Sequence, residues 1–301
     1  MSRLPHTHIP FLFDGITIIP NNVIDDCLGR NIPLNDTGTQ IAQYINGQHT
    51  VGQLVSRLRQ LYGVSEQDAN AQISALLIKM NQHFIVGFKR NESILQWSQI
   101  NNLFYRWMFL PIENAKMLLT TYTPWQRETL ALGTLSDALN SFVKILLNTI
   151  KSYTLLLLVA IMVFFFFGLV TKNDKLLLQY VAIPPLIFVG VFVIGAAAHE
   201  FCHAFMGYCL NRTLRPVFVY RKFSLKILFF NLTTQQRKVV AVAGPMANGL
   251  LAALTSPLLF VTMGTARLWV FAALLGAGVG AISALPFFGD GRMIWYKDRE
   301  N

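Results

Sequence analysis

Three residues in this chain have types and a spacing that could do chemistry: His199, Glu200 and His203, within LIFVGVFVIGAAAHEFCHAFMGYC over residues 186–209. Side chains four apart lie on one face of an α-helix, so the two imidazoles point the same way. Two imidazoles at that spacing can fill two positions of a tetrahedral zinc, and the glutamate between them can take a proton from an attacking water. The setting sharpens this reading. Ionisable groups are expensive in an apolar span, where they mark function by default; the competing reading is a hydrogen-bonded polar cluster that packs a helix bundle. Cys202 lies inside H-E-x-x-H but off the histidine face, and reads as packing.

The elements that must hold these groups read as membrane helices. At 53% hydrophobic and 13% charged, the composition is too apolar for an ordinary soluble domain. The apolar residues thicken after about residue 150, which suggests a soluble N-terminal part followed by a membrane part. Residues 1–20 show no small-residue cleavage pattern, so no signal peptide is expected there. Cys27, Cys202 and Cys209 form no disulfide framework. The net charge of +10 would suit nucleic acid, but the positive residues cluster beside apolar spans, so no nucleic-acid partner is expected.

Four spans follow: 153–170, 186–209, 239–263 and 268–288. Pro184-Pro185 separates the second from LLLQYVAI, read as a half-helix or interfacial stretch. Basic residues set the orientation. The loop after the second span carries Arg212, Arg215, Arg221, Lys222, Lys226, Arg237 and Lys238, and the tail adds Arg292, Lys297 and Arg299. The other connections hold Lys172, Lys175 and Arg267. The positive-inside rule therefore puts the N-terminal domain, the 210–238 loop and the C-terminus in the cytoplasm. His199 falls 13 residues after Leu186, roughly 20 Å along the helix and so within the bilayer, nearer its cytoplasmic side.

A catalytic zinc needs a third protein ligand and an open position. The fourth span ends in ALPFFGDGRMI, and topology brings its Asp290 to the same side of the membrane as the two histidines. The alternative for Gly289-Asp290-Gly291 is a turn. Asp298 and Glu300, further into a charged tail, are poorer candidates.

The N-terminal half reads differently. Residues 1–33 look like turns and short strands, with ITIIP at 16–20 closed by Pro20-Asn21-Asn22. His6 and His8 sit in a polar start. Helical patterning runs from 36 to 88: Ile41, Tyr44 and Ile45 on one face up to Asn46-Gly47, a helix capped by Thr50, a break at Tyr62-Gly63, and a third helix opened by Ser65 with Asp68. The run YINGQHTVGQLVSRLRQLYGVSEQDANAQISALLIKMNQHFIV resembles PqqD-like peptide recognition domains over about residues 10–90. The resemblance implies a winged-helix-like α+β domain that takes a precursor's leader peptide as an added strand, between the 16–34 strands and the helix at 66–82. The plainer reading is a small domain serving as a plug or dimer contact. Beyond it, NNLFYRWMFLPIENAKMLL reads as an interfacial segment and 134–150 as a helix leading into the bilayer.

The membrane half carries a second resemblance. HEFCH at 199–203, AGPMAN at 243–248 and LPFFGDG at 285–291 are similar to three signatures of the site-2 protease family of intramembrane zinc metalloproteases. It implies zinc held by His199, His203 and Asp290, Glu200 as general base, and Asn248 near the site helping to hold substrate. The 213–232 loop, with VFVY and KFSLKILFF, looks like that family's cytoplasmic β-hairpin. Three features depart from the pattern: Gly289 stands where the family usually has Leu, the Pro286–Asp290 interval is one residue shorter, and Ser283 or Ala284 replaces an asparagine.

Together these readings predict an α-helical integral membrane protein of about four transmembrane helices with a small N-terminal α+β cytoplasmic domain. Its parts are a peptide-recognition domain (1–90), an amphipathic juxtamembrane connector (91–150) and a catalytic domain (151–301). The expected function is zinc-dependent cleavage, at a bacterial cytoplasmic membrane, of a ribosomally made precursor peptide captured by its leader. A peptide-modifying enzyme or exporter is a further expected partner. Two alternatives stand beside it: regulated proteolysis of a single-span regulator, and a non-catalytic export or immunity protein that binds a peptide.

Overall fold

The computed structural model describes residues 4, 6–90, 124–170, 179, 183–213, 215–221, 224–229, 232–285, 290 and 294. It divides into two compact units: Met1–Thr129 with Val217–Arg221, and Leu130–Pro216 with Lys222–Asn301.

The first unit opens with β1 (His8–Leu12), followed by an antiparallel meander of β2 (Ile16–Ile19), β3 (Asn22–Asp25) and β4 (Arg30–Pro33). Ile19 pairs with Asn22, so Pro20 and Asn21 form a two-residue turn with Asn21 at φ 58°. Three helices follow: α1 (Asp36–Gln43), α2 (Val51–Tyr62) and α3 (Glu66–Gln82). Thr50 and Gln53 form a reciprocal capping box, Gly63 at φ 65° stops α2, and the Ser65 hydroxyl accepts from the Asp68 amide. These local signals act as the sequence predicts, because a cap satisfies amides that a helix end leaves open. The core lies between helices and strands, with Val23, Ile45, Val51, Ile73, Leu77 and Val86 almost fully enclosed.

The short strands expected over residues 1–33 include β1 from His8, paired antiparallel with β5 (Val86–Arg90). One feature of this unit differs from the sequence expectation. Residues 124–129, expected within an amphipathic connector, include strand β6 (Gln126–Thr129), which pairs antiparallel with β7 (Val217–Arg221). The Asn81 side chain accepts from the Trp125 amide at 2.9 Å and donates to the Trp125 carbonyl at 3.0 Å, fastening this segment to the end of α3. Beside it the phenol of Tyr220 is held above its ordinary range by burial and by the nearby Glu128 carboxylate. The segment 101–119 read as interfacial lies outside the described residues.

The second unit is helical: α4 (Leu135–Val170), α5 (Ile183–Leu210), α6 (Thr234–Thr255), the short α7 (Leu258–Val261) and α8 (Thr265–Val279), which tightens into a 3-10 turn over Gly280–Ala284. It also holds strand β8 (Ser224–Leu228). Helix α5 is packed by α4, α6 and α8. Among the described residues, three helices are long and apolar enough to cross a membrane, Ile183–Leu210, Thr234–Val261 and Thr265–Ala284; a fourth is counted if Leu135–Thr154 and Leu156–Phe166 make one span across their 62° bend. The Thr154 hydroxyl at that bend bonds back to the Ile150 and Lys151 carbonyls, a contact that competes with the helix ladder and favours bending. Pro184 and Pro185 fall inside the first turn of α5 instead of ahead of it, where proline removes only amides that lack a helical partner.

Gly276 on α8 permits a close approach to α5: a Cβ there would lie 2.5 Å from the Phe188 carbonyl oxygen. Gly278 has nothing within 4 Å of that position. Most of LLLQYVAI and of the stretch after Leu285 lies outside the described residues, as do Asp298 and Glu300.

Candidate metal centre

One helical turn of α5 carries His199 and His203, both buried, with ring centroids 4.7 Å apart and planes nearly perpendicular. Their Nε2 atoms face each other at 3.1 Å. Asp290 meets them from 91 residues along the chain, its Oδ2 3.0 Å from His199 Nε2 and its Oδ1 3.5 Å from His203 Nε2. One donor atom from each of the three lies within 4.8 Å of the others, and no other such cluster of His, Cys, Asp and Glu occurs among the described residues.

These separations fit a metal. Tetrahedral zinc with bonds of about 2.0–2.1 Å sets its ligand atoms about 3.3 Å apart. Two imidazole lone pairs facing each other at 3.1 Å repel unless a cation or a proton lies between them. The remaining ring nitrogens are also held. His203 Nδ1 donates to the Val240 carbonyl at 2.6 Å, which leaves its Nε2 free to bind, the usual arrangement behind a metal-ligating histidine. Val240 lies on α6, five residues before Pro245. His199 Nδ1 faces the Asn248 amide at 3.1 Å.

Helix α6 supplies the clearance. A Cβ on Gly244 would collide with His203 Nε2 and lie 2.7 Å from His199 Nε2. Glycine at this position keeps open the space in front of both donor atoms. Glu200, half-buried, follows His199 directly on the helix.

The structure therefore brings His199, His203, Asp290 and Asn248 together. Cys202 is half-buried and Cys209 exposed; neither joins the cluster. His6 and His8 lie in the other unit. Sequence reasoning missed the Val240 carbonyl, a backbone group with no signature, and the role of Gly244, for which the small residue in AGPMAN was the available signal.

No curated protein and no solved structure matches the chain. Residues 23–86 match the family described as coenzyme PQQ synthesis protein D (PqqD), so the N-terminal part of this chain contains a PqqD-like domain.

Proposed function

We propose that this protein is a membrane-embedded zinc endopeptidase of the site-2 protease kind, cutting a ribosomally made precursor peptide that its PqqD-like domain captures by the leader. The observation that carries the proposal is the convergence of Asp290 with His199 and His203 of an apolar helix, three donors of the types zinc prefers. The PqqD-like match over residues 23–86 supports the substrate class, because such domains add an extended peptide strand to a small sheet.

Bound zinc supplies Lewis-acid chemistry, acidifying water and polarising a carbonyl. The chain's own residues do the rest. His199, His203 and Asp290 would hold the metal. Glu200 takes the proton of the attacking water and passes it to the leaving amine. A helical substrate hides its carbonyls in backbone hydrogen bonds, so it must unwind locally before attack. Capture of the leader raises the substrate's effective concentration, which lets the cutting site be permissive. The distribution of Lys and Arg supports a cytoplasmic position for the PqqD-like domain, where a peptide-modifying enzyme could hand over its product.

The test is zinc content together with cleavage of precursor peptides encoded beside this protein, comparing wild type with Glu200→Gln. The variant is expected to keep stoichiometric zinc and to cut at least about a hundredfold more slowly. Wild-type protein without zinc, or full-rate cutting by E200Q, would overturn the proposal.

A further inference from the structure

The orientation of one buried amide decides what His199 can do. With Asn248 Nδ2 facing His199 Nδ1 at 3.1 Å, the amide donates, Nδ1 must accept, and the ring proton is driven to Nε2. That nitrogen lies 3.0 Å from Asp290 Oδ2 and 3.1 Å from His203 Nε2, so His199 would lose the lone pair that points into the cluster. The same orientation leaves Asn248 Oδ1 buried without a partner, on a residue 1% exposed. A buried acceptor stranded in this way is a standing cost.

Turned over, the amide presents Oδ1 to a protonated Nδ1, and Nε2 keeps its lone pair. Amide oxygen and nitrogen are nearly the same size, so the exchange needs no new space, and hydrogen-bond chemistry decides between the two. Nδ2 then takes the position beside Gly195, where the Gly276 carbonyl oxygen is also near: a Cβ on Gly195 would lie 3.2 Å from the one and 3.9 Å from the other. His203 shows the matching arrangement, its Nδ1 donating to the Val240 carbonyl. Glycine on the far side completes the fit, since a Cβ on Gly280 would collide with the Asn248 amide. At 1% exposure the amide is enclosed by α5, α6 and the 3-10 turn, with little surface to offer a substrate.

We infer that Asn248 is a positioning residue, whose amide oxygen accepts the Nδ1 proton of His199 and so sets the tautomer that aims Nε2 at Asp290 and His203. This rests on the zinc reading above, and it differs from the substrate-holding role that the site-2 protease resemblance implies for this asparagine.

The experiment measures zinc affinity of the full-length protein in detergent against a competing chelator, for wild type, Asn248→Asp and Asn248→Leu. Ring 15N NMR of His199 in the wild type is recorded alongside. N248L is expected to lose about 10–100-fold in zinc affinity, while N248D, which keeps an acceptor in place, stays near wild type. The wild-type spectrum is expected to show the proton on Nδ1. Unchanged affinity in N248L, or a proton on Nε2 in the wild type, would overturn the inference. Should N248L not fold, the wild-type tautomer decides. Absence of zinc from the wild type sinks the endopeptidase proposal, and the tautomer in that same sample still decides the role of Asn248.

Discussion

Arg127 donates to both carboxylate oxygens of Asp25, at 2.8 and 2.9 Å, across 102 residues of sequence. The two side chains are 1% and 0% exposed. Asp25 also accepts from Arg30 and from the Leu28 amide, so its lone pairs are well used. Arg127 further donates to the Phe84 carbonyl at 3.0 Å. Strand β6 is thereby anchored to the PqqD-like domain on one side while it pairs with β7, from the loop between α5 and α6, on the other. The loop that follows the His-bearing helix thus contributes a strand to the unit containing the PqqD-like domain.

Breaking this pair is expected to be costly, because removing one partner leaves the other charge buried. Asp25→Ala should destabilise the first unit by about 3–5 kcal/mol, read by denaturation of the full-length protein with Trp125 fluorescence as probe. Asp25→Ala combined with Arg127→Met should cost less than the sum of the two single changes. Strict additivity would mean that the two groups do not act as a pair.

Gly244→Ala tests the clearance in front of the histidines. The added methyl would meet both Nε2 atoms, while alanine in place of glycine favours helix α6 itself. The variant should therefore fold and yet lose zinc affinity by about tenfold or more, an effect of the size seen when ligand orientation is disturbed. Chelator competition on folded protein measures it.

Asp290 separates the metal reading from the turn reading of Gly-Asp-Gly. On the metal reading Asp290→Ala removes a direct ligand, so zinc affinity should fall by more than the 10–100-fold typical of outer-sphere partners. A turn residue would leave metal content unchanged, as plasma emission analysis of the purified variant would show. Chelating the metal from wild-type protein should abolish cleavage, and added zinc should restore it.

Leader capture makes a separate kinetic prediction. A precursor lacking its leader should be cut with kcat/KM lower by about a hundredfold or more, because tethering typically raises effective affinity by 10²–10⁴. Adding free leader in trans should inhibit cleavage of the intact precursor without restoring that of the leaderless one. Equal rates for the two substrates would leave the PqqD-like domain without a role in capture.

Much of the first unit was legible because its signals are local. Thr50, Gly63 and Ser65 each cap or stop a helix within a few residues of themselves. Strand β6 was not legible. QRET has no apolar alternation, and what makes it a strand is pairing with Val217–Arg221, about ninety residues later, together with the Asn81 and Arg127 contacts. The bend near Thr154 was hidden for a related reason: back-bonding threonines occur in straight helices too, and the bend depends on what packs around them.

The chain by itself determined that His199 and His203 share a face, since helical periodicity is a property of the backbone and holds wherever the helix forms. It also determined that several stretches are apolar enough to span a bilayer, because that depends on length and composition alone. Tertiary structure decided the rest. Asp290 meets the histidines from 91 residues along the chain, and Asn248 reaches His199 only because each helix takes one rotation about its own axis when packed. Glycines at 195, 244, 276 and 280 allow the approach that sets this rotation. Spacing along a sequence does not encode such an angle; it emerges when side chains from several segments compete for the same volume.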